Sequence, residues 1–97
     1  VFYGAADGSQ AIAEAMQARF AAALHSGENR KAKAVDSGVY LMNKVRCTAV
    51  LVECGFLSNA AESQKLRDDG YQKQLTAVIA GTVLESLTKE GNEPSEV

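Results

Sequence analysis

The sequence predicts an α/β fold, a parallel or mixed sheet with helices on its faces, from three observations. The run Thr48-Ala49-Val50-Leu51-Val52 is continuously apolar over the length of a strand, as expected of a strand buried on both faces in a parallel sheet. Two longer stretches, Ile12 to Leu24 and Tyr71 to Lys89, carry apolar residues at helical spacing. Breaks rich in Gly, Asp and Asn separate these stretches, and the resulting order is strand, helix, strand, helix, helix.

Val1-Phe2-Tyr3-Gly4 reads as the end of a strand, and Ala5-Ala6-Asp7-Gly8 as a turn. Asp7 or Ser9 offers an N-cap to a helix whose stripe is Ile12, Met16, Phe20 and Leu24, with alanines filling most positions between. Ser26-Gly27-Glu28-Asn29 ends it, and a polar connection runs from Arg30 through Lys31, Ala32 and Lys33 toward Gly38. The period of Val39-Tyr40-Leu41-Met42 fits either a helix or an extended segment. After the apolar strand, Asn59 followed by Glu62 forms a capping box for a short helix to about Arg67, and Asp68-Asp69-Gly70 breaks it. The last helix places Tyr71, Leu75, Val78, Ile79, Val83 and Leu87 on one face. Gly91 stops it, leaving residues 92–97, with Pro94, as a disordered tail beyond a single domain over residues 1–91.

Composition narrows the function classes. A net charge of −2 and an isoelectric point near 5.3 give no footprint for nucleic acid or an anionic membrane. No apolar run reaches the roughly 18–20 residues that span a bilayer. A chain starting at Val1 without methionine is expected to be a processed or trimmed product. Cys47 and Cys54 lie at the two ends of one extended run, too far apart to bridge, and read as free thiols in small buried apolar positions. With one histidine and no paired-cysteine motif, a self-contained zinc site is not expected. His25, at the end of the first helix, is expected to meet the last carbonyls and solvent.

Glu53 is the first residue past the apolar strand, and open α/β sheets bind ligands beyond the carboxyl ends of their strands. From spacing alone, a strand-end glutamate that meets water or caps a neighbouring helix is slightly the better reading. Gly55 allows a sharp turn there, and Phe56 and Leu57 are expected to pack and so aim Glu53. Arg30 is the favoured cation for a ligand carboxylate, since a guanidinium grips one through two bonds. Lys31 and Lys33 read rather as a solvated basic loop, and Asn59 as a helix cap.

The run Leu51-Val52-Glu53-Cys54-Gly55-Phe56-Leu57-Ser58-Asn59 resembles the segment carrying the catalytic glutamate in zinc-dependent N-acetylmuramoyl-L-alanine amidases of the amidase-3 family, the spore-associated members above all. Val1 to Gly4, the Ser9 to Leu24 helix, the Asn29-Arg30 pair with its lysines and the Tyr71-Gln72 helix opening have counterparts there, so the similarity runs to about Leu87. The resemblance implies a mixed, mostly parallel sheet flanked by helices, of which this chain is the C-terminal part. It implies cleavage of the amide between N-acetylmuramic acid and L-alanine in the peptidoglycan of the bacterial cell envelope, outside the cytoplasm. It also implies zinc held by two histidines and a glutamate upstream of Val1, activating water. Glu53 then serves as general base and acid, with a pKa raised by partial burial.

Without those ligands the chain alone is expected to hold no metal and to be inactive, and the exposed sheet edge to favour a dimer. Two alternatives remain: a non-catalytic module that binds cell-wall peptide, and an α/β interaction domain in which residues 53–59 are only a turn.

Overall fold

The computed structural model describes residues 1–24, 30–55 and 58–89. A three-stranded mixed sheet is built from β1 (Phe2–Tyr3), β2 (Lys33–Ala34) and β3 (Val50–Leu51), in the order β2-β1-β3. β1 pairs parallel with β2, Phe2 opposite Lys33, and antiparallel with β3, Phe2 opposite Leu51. Four helices accompany it: α1 (Ser9–Leu24), α2 (Tyr40–Lys44), α3 (Ala60–Arg67) and α4 (Asp69–Lys89). The α/β class and the mixed sheet are as expected.

Directly opposed residues in a sheet point to one face. Tyr3 and Val50 therefore share a face with Val1 and Val52, and three of these, Val1, Val50 and Val52, pack against the core of α1 and α4. That core is Met16, Phe20 and Leu75, joined by half-buried Ile12, Leu24, Tyr71, Val78 and Ile79. The other face carries Phe2, Lys33 and Leu51, and Leu51 is 41% exposed. The Thr48–Val52 run is thus corrected from a central parallel strand to an outer antiparallel one, buried on one face. Its apolar character does not require a second cover, because the core takes only the alternate residues Val50 and Val52.

The α1 stripe holds: Met16 is fully buried and Phe20 nearly so. Before it, Gly8 takes a positive φ of 86°, a conformation costly for a residue with a Cβ. Neither Asp7 nor Ser9 acts through its side chain as the helix cap expected. Ser9 is fully buried, its Oγ accepting the Ala49 N–H at 2.9 Å, while the Asp7 carbonyl accepts from Thr48 Oγ1 at 2.7 Å. The turn before α1 therefore holds the entry to β3. Gly4, in β1's continuation, donates its N–H to the Ala49 carbonyl at 2.9 Å, and a Cβ there would lie 2.6 Å from the Met42 carbonyl oxygen.

Asn59 caps α3 as predicted, its Oδ1 accepting the Glu62 N–H at 3.0 Å. Asp68, expected as a breaker, holds the start of α4, its carboxylate accepting the Tyr71 N–H at 2.8 Å. The α4 stripe is corrected beyond Ile79. Val83 and Leu87 are exposed and Thr82 is buried, its hydroxyl donating to the Val78 carbonyl at 2.7 Å. Arg19 of α1 reaches Thr82 and pairs with Glu85, so this polar trio fills the contact that Val83 was expected to make. Cys47 and Cys54 are free, as expected, but exposed rather than buried. His25, the Ser26–Asn29 helix end, Phe56, Leu57, Gly91 and the tail lie outside the described residues.

Candidate functional site

The antiparallel run of β3 decides where Glu53 lies. β3 ends beside the start of β1, so Glu53 stands at the end of the sheet where β1 and β2 begin. The expectation that it sits beyond the carboxyl ends of parallel strands is not met. A cavity of about 460 Å³ opens there, lined by Val1, Phe2, Gln17, Arg30, Lys31, Lys33 and Glu53.

The pleat explains this membership. Glu53 follows Leu51 by two residues and Lys31 precedes Lys33 by two, so in extended backbone all four fall on the open face with Phe2. Gln17 comes from the opposite side, on α1, where it is buried and its Oε1 accepts from the Val1 amino group at 2.7 Å. Burial holds that amino group below its ordinary value of 8.0; the Glu53 carboxylate opposes the shift and Arg30 adds to it. Both charges thus act at the same end of β1.

Glu53 is exposed, so the partial burial expected of it is not found. Arg30, the predicted carboxylate partner, lines the cavity with Glu53, as do the two lysines. Lys33 is a strand residue, and no local signal could have shown it: β2 has no apolar pattern and exists through its ladder with β1, the Lys33 N–H donating to the Val1 carbonyl at 3.1 Å. Asn59 is used as a cap, and it does not line the cavity.

A catalytic zinc needs three protein ligands with an open position. Among the described residues, no group of three or more His, Cys, Asp or Glu side chains is gathered in that way. The described residues therefore do not fit a zinc site. No helix among them is long and apolar enough to cross a membrane.

The arrangement offers one carboxylate for proton transfer, facing cations suited to an anionic ligand. Comparison with known proteins gives the chemistry a family. Residues 1–85 match the amidase-3 family, described as N-acetylmuramoyl-L-alanine amidase. A germination-specific N-acetylmuramoyl-L-alanine amidase of Bacillus subtilis (strain 168) is 32% identical over 93 residues, which are 96% of this chain. The chain spans 38% of that relative's length. No solved structure gives a significant match. By the extent of the family match and the identity to this relative, the chain belongs to the amidase-3 family of N-acetylmuramoyl-L-alanine amidases.

Proposed function

We propose that this chain supplies the general base of a peptidoglycan amidase that cleaves the amide between N-acetylmuramic acid and L-alanine. Glu53 takes a proton from the attacking water and returns it to the departing amine as the C–N bond breaks. The observation that carries this reading is that Glu53 is the carboxylate lining the cavity at the amino end of β1. Its exposure leaves it open to water and substrate. The cations facing it suit a substrate bearing carboxylates.

The zinc implied by the family resemblance would polarise the carbonyl and be held by parts of the enzyme outside this chain. The chain alone would then be inactive, and the whole enzyme would act in the cell envelope. Positioned proton transfer contributes roughly 10²–10⁴-fold to such a reaction.

The test is hydrolysis of a muramoyl-L-alanyl amide, with added zinc, by this chain and by a form extended to its relative's length. The extended form is expected to cleave, and Glu53→Gln to slow it by about 10²–10⁴-fold with little change in KM. An extended enzyme whose rate is indifferent to Glu53→Gln would remove Glu53 from the mechanism. If Glu53→Gln binds muramoyl peptide normally and neither form cleaves it, the chain is a binding module instead.

A further inference from the structure

The cavity beside Glu53 is lined by three cationic side chains, Arg30, Lys31 and Lys33, in a chain whose net charge is −2. Among the described residues, Lys33 forms no ion pair. Charges gathered at one concave site in this way raise the local concentration of an oppositely charged ligand.

The three cations are not equivalent. Arg30 and Lys31 also line a neighbouring depression of about 350 Å³, together with Glu14. Lys33 lines the Glu53 cavity and not that depression. It is also the one cation set in the sheet, opposite Phe2, with its N–H bonded to the Val1 carbonyl. A charge carried on a strand is better placed than one on a loop, because less freedom remains to be lost on binding.

We infer that Lys33 is a specificity-determining residue that selects substrates whose stem peptide carries a free carboxylate, gripping that group while Glu53 faces the scissile amide. This deepens the amidase reading and rests on it for the identity of the ligand. It assigns to Lys33 a role that a solvated basic loop would not have.

The experiment uses the chain as it stands and reads binding, so that it does not depend on turnover. An N-acetylmuramoyl dipeptide ending in glutamate, and the same compound with its carboxyl groups converted to carboxamides, are titrated into isotopically labelled chain and followed by NMR. The acid is expected to bind about tenfold more tightly than the amide, the size of one charge-assisted contact. Lys33→Gln should abolish that preference and Lys33→Arg should keep it, both with unchanged circular dichroism, since the side chain is exposed.

Equal binding of acid and amide, binding of neither, or a preference that survives Lys33→Gln would overturn the proposal. Displacement of the acid by an equal concentration of inorganic phosphate would also overturn it, marking an unselective anion patch. Glu53→Gln, which removes a carboxylate that opposes the acid, should keep the preference or strengthen it. Failure of Glu53 as the base would appear in hydrolysis alone, and failure of Lys33 in binding alone.

Discussion

Replacing Ser9 by alanine tests whether the turn before α1 holds the strand that carries Glu53. The Ser9 hydroxyl is fully buried and accepts the Ala49 N–H at 2.9 Å, one residue before β3 begins. Alanine removes the acceptor without supplying another, so the amide is left desolvated and unpaired. A lost hydrogen bond contributes about 1 kcal/mol, and an unsatisfied buried donor costs about 1–3 kcal/mol. A net loss of roughly 2 kcal/mol is expected, against a total stability of about 5–15 kcal/mol for a chain of this size. At about 4–8 °C per kcal/mol, Tm should fall by roughly 10 °C. The sharper assay is amide hydrogen exchange at Ala49, which should quicken about 30-fold if local opening becomes easier by that amount. Gln10→Ala, an exposed neighbour whose amide reaches only Glu14, is the control and should stay within about 0.5 kcal/mol of wild type. If Ala49 exchanges as slowly in Ser9→Ala as in the parent, and Tm moves no more than in the control, the link from α1 to β3 is not what holds the strand.

Met16→Ala should be the costlier change, about 2–5 kcal/mol by urea unfolding, because the side chain is wholly enclosed with Phe20 and Leu75. A cost under about 1 kcal/mol would mean that the core collapses around the gap. Gly4→Ala should destabilise by about 1–3 kcal/mol, since the new methyl group would sit 2.6 Å from the Met42 carbonyl oxygen. Unchanged thermal unfolding would show that the segment around α2 yields to make room.

What the sequence could disclose follows from which signals are local. The i, i+4 series through Met16 and Phe20 is a property of one helix, and α1 buries both of these residues as expected. The Asn59 cap is equally local and was legible. Thr82 and Val83 were not, because their relative burial depends on Arg19, sixty-three residues from Thr82 along the chain. Nor was the direction of β3: an apolar run is compatible with either pairing, and only its partner β1 decides where Glu53 points. Arg30 was singled out by a side-chain argument and Glu53 by a resemblance, and both line one cavity. Lys33 was visible as a residue but not as part of a strand, because β2 draws its order from β1 rather than from its own composition.

Each strand of the sheet contributes two residues, yet α1 touches all of them and α4 besides. The sheet is in effect upholstery on one helix, since β1, β2 and β3 all rest against α1. Loosening α1 at either end should therefore be felt at once in β1, β2 and β3, giving one cooperative melting step rather than a sequence of local ones. For the cavity this means that Lys33, on β2, and Glu53, two residues beyond β3, are both carried by strands that rest on the same spine.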